Sequence, residues 1–275
     1  MKKLRLLRRL ILILIVFGLL FLGYYTYAIS PTDYTFTNYE YVHKNIDSKL
    51  NGFKIAFLSD VNLTNQKSVH RFKEMVNKLN GYPFDMVIFG GDLYDGSAIE
   101  AKEVSQILKN IDCKYGKFAI LGEKDKTSSL EVTQIINDGG FEVLENTTRT
   151  IYYKESQFLL IANDEDNDIS KLKADSKTIK IDVSHQPDTF ISHQGKIDLQ
   201  LSGHSYGGSL YIPYYGALLA PSGAKTYNHG IYEESGSTLV VSNGFSGPES
   251  FPYKFFARNQ IYFITLQAKS STSTK

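Results

Sequence analysis

The chain has 275 residues, 42% of them hydrophobic and 21% charged, with a formal net charge of +1. That balance is ordinary for an anchor plus one globular domain, and it leaves no electrostatic field that would favour nucleic acid. The single cysteine, Cys113, excludes an intramolecular disulfide and a cysteine-rich metal site, and reads as a small filler residue.

Lys2, Lys3, Arg5, Arg8 and Arg9 precede an uncharged run from Leu10 to Ile29. The run is long enough to cross a hydrocarbon core about 30 Å thick. Tyr24, Tyr25 and Tyr27 would form an aromatic belt at its far end. The charges therefore predict a cytoplasmic N-terminus over 1–9, a single-pass anchor in the cell membrane over 10–29, and everything after it outside the cytoplasm. A cleaved signal peptide fits less well, because Thr26-Tyr27-Ala28 is a poor small-x-small site. Arg8-Arg9 raises a twin-arginine export signal, for which the run is too hydrophobic.

Residues 30–50 read as a tyrosine-rich spacer, 39–267 as one domain, and 268–275 as a disordered tail. Within the domain, Lys54–Leu58, Asp85–Phe89 and Lys117–Leu121 read as buried strands. Val69–Asn80, Ile99–Leu108 and Leu130–Ile136 carry apolar residues at helical spacing between and after them. Strands then predominate: Thr150–Tyr153, Gln157–Ala162, Thr178–Val183, Leu199–Leu201, Leu239–Val241 and Gln260–Leu266. A β-α-β-α-β half followed by a β-rich half predicts a layered α/β fold, with a large mixed sheet or two packed sheets flanked by helices.

The chemistry lies where the apolar strands end. KIAFLS runs into Asp60, DMVIFGG into Asp92, KFAILG into Glu123, TIKIDVS into His185 and DLQLSG into His204. Ligands bind beyond such strand ends in open α/β sheets. Three carboxylates and two imidazoles converging there would be stable only around a cation. Oxygen and nitrogen donors without sulfur suit Mn, Fe, Zn or Mg. His43 and His70 read as solvated, and His193 and His229 as loop residues. Asp95 and Asp125 read as capping or orienting residues, and Asp164 to Asp168 as a solvated acidic turn.

With these segments in order, the sequence resembles the calcineurin-like metallophosphoesterases, and within them the membrane-associated bacterial branch. That family carries D-x-H, G-D, G-N-H-D/E, a lone His and G-H-x-H. Here the segments are Asp60-Val61-Asn62, Gly91-Asp92, Gly122-Glu123-Lys124-Asp125, His185, and Gly203-His204-Ser205-Tyr206, the last followed by Gly207-Gly208. The resemblance implies a four-layer αββα sandwich holding one or two divalent ions. One metal would take Asp92, Glu123, His185 and His204. The other would take Asp60, Asn62, Asp92 and Tyr206, a set that has lost both of the family's imidazoles.

Two expectations follow for that altered site. It survives as an oxygen-only site, or it is empty and the Lys124 ammonium neutralises Asp60 or Asp92. Lys124 also stands at the position of the family histidine that assists the departing oxygen. The implied function is metal-dependent hydrolysis of a phosphate ester or pyrophosphate, with a small molecule, a lipid or an envelope polymer as substrate. The alternative is a catalytically degenerate domain that binds a phosphorylated ligand or a partner protein.

Overall fold

The computed structural model describes residues 2–163, 169, 177–247 and 253–269. Helix α1 (Lys2–Tyr24) continues through a π turn, Tyr25–Ile29, and a 3-10 turn, Ser30–Thr32. Among the described residues it is the one helix long and apolar enough to cross a membrane. Nearly all of its leucine, isoleucine and phenylalanine side chains are exposed, as they would be against lipid.

Strand β1 (Tyr34–His43) follows directly, so about half of the stretch read as a spacer belongs to the sheet. The reason is period two. Tyr34 and Phe36 pack on one face of the sheet, and Tyr39 and Tyr41 pack on the other. Then come β2 (Lys54–Leu58), α2 (Gln66–Leu79), β3 (Met86–Phe89), α3 (Ala101–Lys109), β4 (Lys117–Ala119), α4 (Ser129–Asp138) and β5 (Glu142–Val143). Asn65 starts α2 with a capping box: its side chain accepts the Ser68 N–H, and the Ser68 hydroxyl accepts the Asn65 N–H. Val69, Phe72, Met75, Val76 and Leu79 then form the buried stripe that the spacing predicts.

The second half holds β6 (Thr147–Tyr153), β7 (Ser156–Asn163), β8 (Lys180–Ser184), α5 (Phe190–His193), β9 (Leu199–Ser202), β10 (Tyr211–Ile212), β11 (Gly216–Ala217), β12 (Gly230–Glu234), β13 (Ser237–Val241) and β14 (Asn259–Ala268). One six-stranded sheet has the order β1-β14-β2-β3-β4-β5 and the other β12-β13-β9-β8-β7-β6. In the first, β2, β3, β4 and β5 run parallel, and β14 runs antiparallel to β2. In the second, β7, β8, β9 and β13 run parallel.

Three apolar layers hold the sandwich together. Phe57, Ile88, Phe158, Leu160, Ile181 and Leu201 are among the side chains packed between the two sheets. Each such residue contributes about 1.5–3 kcal/mol by leaving water. Helices α2, α3 and α4 cover the first sheet through Phe72, Met75, Ile107 and Ile135. The outer face of the second sheet has a thinner cover built on Phe190, Ile197 and Tyr227. The architecture is thus the expected αββα sandwich, with a short outer layer on the second sheet.

Two histidines differ from the reading of them as solvated or loop residues. His43 stacks on Tyr41 with ring centroids 5.8 Å apart and lies 3.7 Å from the Asp198 carboxylate. His193 is buried in α5, with Nδ1 2.9 Å from the Asp182 carboxylate, which supplies the partner that burial requires. His70 is exposed beside Glu74, as expected. The acidic run 164–168 and the tail from 270 onward lie outside the described residues.

Candidate metal centre

Four parallel strands end at one pole and deliver the site. Asp60 follows β2, Asp92 follows β3, His185 follows β8 and His204 follows β9. All four are buried. The backbone there is bent for the purpose: Asp60, Asn62, Asp92, His204 and Tyr206 all have positive φ, between 50° and 64°. Left-handed backbone at non-glycine residues is sparsely populated, and its clustering at one place marks a functional site. Two glycines let the strands approach each other. A Cβ on Gly122 would lie 2.1 Å from an Asp92 carboxylate oxygen, and one on Gly203 would lie 2.5 Å from an Asp60 oxygen.

Asp92, His185 and His204 each present one ligand atom, all within 4.8 Å of one another. Their protonation follows from their outer contacts. His185 Nδ1 lies 2.7 Å from the Gly90 carbonyl, which can only accept, so Nδ1 carries the hydrogen. By the same reasoning His204 Nε2–H donates to the Ser222 carbonyl at 2.6 Å. The remaining ring nitrogens, His185 Nε2 and His204 Nδ1, are buried without hydrogen-bond partners, and so is Asp92 Oδ2. Three buried, unpartnered donor atoms on one small volume are costly unless a cation receives them. Outer hydrogen bonds that fix a histidine tautomer are the usual support of a metal ligand. These three residues fit one divalent ion.

Without a cation, a proton on His185 balances the facing carboxylate. Burial disfavours a charged imidazole at His185, but the facing Asp92 carboxylate outweighs it and pushes the ring up to about 10. Burial alone would raise Asp92. The His185 ring and the Lys124 backbone N–H instead hold its carboxyl below the usual carboxylate range. Burial raises Asp60.

The second expected ligand set is differently employed. Both Asp60 oxygens accept the His204 backbone N–H at 3.0 Å, so Asp60 braces the loop that carries His204. Lys124 Nζ donates to Asn62 Oδ1 at 3.0 Å and to Asp95 at 2.5 Å, and lies 5.3 Å from the Tyr206 ring centroid. Burial, and then the carboxylates of Asp60, Asp92 and Asp95, push the Tyr206 phenol far above its ordinary value, so it remains protonated. Asn62 and Tyr206 thus surround an ammonium, and they do not fit a second cation. The expectation that Lys124 neutralises Asp60 or Asp92 is corrected to Asp95, whose carboxylate the side chain reaches directly.

Glu123 departs from its expected role as well. Its carboxylate is 62% exposed and 3.9 Å from His204 Nε2, the nitrogen already given to Ser222, so it stands outside the buried trio. Asp125 behaves as an orienting residue. Its carboxylate accepts the backbone N–H groups of Asp92, Leu93, Tyr94 and Gly122 and so pins the Asp92 loop to the Lys124 loop.

Sequence reasoning missed Lys254. This buried lysine donates to the carbonyls of Asn243 and Gly244, and Gly244 packs against Asp60. Desolvation lowers its ammonium to about 7. A lone lysine in an aromatic tract carries no signal of such a position.

No family model matches the chain. It is 27% identical over 231 residues to the metallophosphoesterase YkuE of Bacillus subtilis, a match covering 79% of this chain and 80% of that protein. It is 28% identical over 227 residues to a metallophosphoesterase of Helicobacter pylori, covering 79% of this chain and 60% of that protein, so it spans about three-fifths of that relative's length. Among solved structures, a dimetal phosphatase from Danio rerio matches with a TM-score of 0.42 at 10% identity, over 74% of this chain and 91% of that one. By sequence likeness across about four-fifths of its length, and by the strand-end ligands of its αββα sandwich, this chain is related to the calcineurin-like metallophosphoesterases.

Proposed function

We propose that the chain hydrolyses a phosphate ester at the outer face of the cell membrane, using one divalent ion held by Asp92, His185 and His204. The observation that carries this reading is the convergence of three buried, unpartnered ligand atoms at the strand ends. When bound, the ion supplies Lewis acidity for a phosphate oxygen. The chain supplies the remainder. Gly90 and Ser222 hold the two imidazoles in the tautomers that face inward. Lys124 donates its backbone N–H to Asp92, while its ammonium, pinned by Asp95 and Asn62, sets a fixed positive charge for a second phosphate oxygen. Asp125 keeps those two groups in register through its four backbone bonds.

The outward placement rests on the basic residues before the apolar helix. A second reading, a domain that binds phosphate without hydrolysing it, is favoured by the ammonium seated among Asn62, Tyr206 and Asp95. The two readings separate in one assay. Detergent-solubilised full-length chain with Mn²⁺ is tested on aryl phosphate mono- and diesters beside an Asp92→Asn control. Metal-dependent turnover that the control lacks supports the enzyme; turnover equal to the control, with metal still bound to the parent, supports the binding domain.

A further inference from the structure

The apolar helix and the metal centre emerge at the same pole of the sandwich. Tyr262 of β14 pairs with Phe57 of β2, and that antiparallel register counts on to Asn259 level with Asp60. Tyr34, the first residue of β1, pairs with Asn259, two residues after the helical turns end at Thr32. The junction is fastened there. Ser30 Oγ donates to the Lys254 carbonyl at 2.9 Å, Asn259 Nδ2 donates to the Ser30 carbonyl at 3.0 Å, and Arg258 pairs with Asp33 at 2.5 Å.

The β10–β11 hairpin hangs from that junction. The Tyr211 N–H donates to the Phe255 carbonyl at 3.0 Å, and the Phe255 N–H donates to the Ser209 carbonyl at 2.8 Å. Phe255 is the neighbour of the Lys254 that Ser30 holds, so adjacent residues carry the hairpin's bonds and the helix's. The hairpin packs so closely on Gly208 that a Cβ there would lie 2.2 Å from Ala217, and the chain three residues beyond it supplies the Ser222 carbonyl that fixes His204.

The outer side of this hairpin is apolar and open. Tyr214 is fully exposed, Tyr215 is 78% exposed, and Leu218, Leu219 and Phe256 are each about half exposed. Single exposed hydrophobics are normal on a soluble surface, but a contiguous group marks a contact surface. Tyrosine in particular suits the polar–apolar boundary of a bilayer. Because the group is tied to the end of the membrane-crossing helix, the surface within its reach is the bilayer itself.

We infer that the hairpin 211–219, together with Phe256, seats in the interfacial layer of the bilayer that the helix crosses, so that the metal centre faces lipid headgroups. The inference rests on the reading of α1 as a membrane anchor. It is tested with the full-length chain in nanodiscs of phosphatidylcholine, with and without acyl-chain bromination. The chain has no tryptophan, so each substitution introduces one fluorophore. Tyr214→Trp and Phe256→Trp report the hairpin, and Leu14→Trp reports the helix. Tyr152→Trp reports an exposed site on β6, beside the Tyr153 that packs on Phe53 at the opposite pole. The expected result is quenching of Tyr214→Trp and Phe256→Trp by the brominated lipid, with Tyr152→Trp unquenched. Quenching of Leu14→Trp with Tyr214→Trp and Phe256→Trp no more quenched than Tyr152→Trp overturns the seating. An unquenched Leu14→Trp overturns the anchor and the seating with it. No step reads turnover, so failure of the hydrolytic reading is recorded separately.

Discussion

The Asp92 carboxylate and the His185 imidazole face each other at 3.3 Å, and neither facing atom has any other hydrogen-bond partner. In the metal-free chain a proton shared across that gap holds the charge balance, which is why His185 is pushed up to about 10 while Asp92 is held low. A cation must displace that proton. Metal binding at neutral pH is therefore expected to release about one proton per ion, and affinity to rise about tenfold per pH unit. Calorimetric titration of Mn²⁺ in buffers of different ionisation enthalpy measures this directly; a proton count near zero would contradict the assignment of His185.

The ligand set makes an unequal prediction for its members. Asp92→Asn, His185→Ala and His204→Ala each remove a donor from a buried three-residue site and are expected to leave the purified chain without stoichiometric metal. Glu123→Gln is expected to retain it, because that carboxylate is 62% exposed and outside the trio. Elemental analysis of the four variants checks the pattern, and metal loss in Glu123→Gln would return that residue to the site.

Lys124 should act on the phosphate and not on the metal. Lys124→Met removes a positioned positive charge and is expected to lower kcat/KM by about 10²–10³, as loss of one preorganised electrostatic contact does. Metal content should be unchanged. If the variant instead takes up a second ion, the ammonium was holding that position closed.

Lys254 gives a stability signature. Its folded-state value is lowered to about 7 from an ordinary 10.5, so between these two pH values the unfolded chain holds a proton that the folded chain has lost. Stability thus rises with pH across that window, by at most about 1.4 kcal/mol per pH unit, and below about 7 the cost of the buried charge is fully present. Lys254→Met is expected to flatten the rise. Denaturant unfolding of the solubilised chain at pH 7 and pH 9.5 makes the comparison; an equal rise in the variant would place the effect elsewhere.

Gly122→Ala is expected to disrupt the centre more than any surface change, because its Cβ would lie 2.1 Å from an Asp92 oxygen. Strain on that carboxylate should appear as lost metal before lost fold, which circular dichroism and elemental analysis together resolve.

The apolar strands with their terminal Asp or His were legible because buried parallel strands are short, continuous apolar runs, and an Asp or His directly after such a run stands out. That logic placed Asp60, Asp92, His185 and His204 just beyond β2, β3, β8 and β9, where the structure has them. It failed at β1, where half-buried aromatic residues alternate with threonine and glutamate and the polar half reads as a spacer. It failed at Glu123, because a strand's end fixes where a residue lies along the chain and not which way a flexible side chain turns. It placed Lys124 beside the site but on the wrong carboxylate. Asp95 lies three residues beyond Asp92 in the loop after β3, and its carboxylate stands 2.5 Å from the ammonium. Lys254 was invisible because nothing local distinguishes a lysine that reaches inward from one that reaches out.

The most direct test of a one-ion phosphoesterase is to titrate Mn²⁺ into metal-free full-length chain, following bound metal and hydrolysis of an aryl phosphodiester in the same samples. Turnover that rises with the first equivalent and levels off at one ion per chain is the predicted result. Turnover that appears only with a second equivalent, or none at full occupancy of the first, would contradict it.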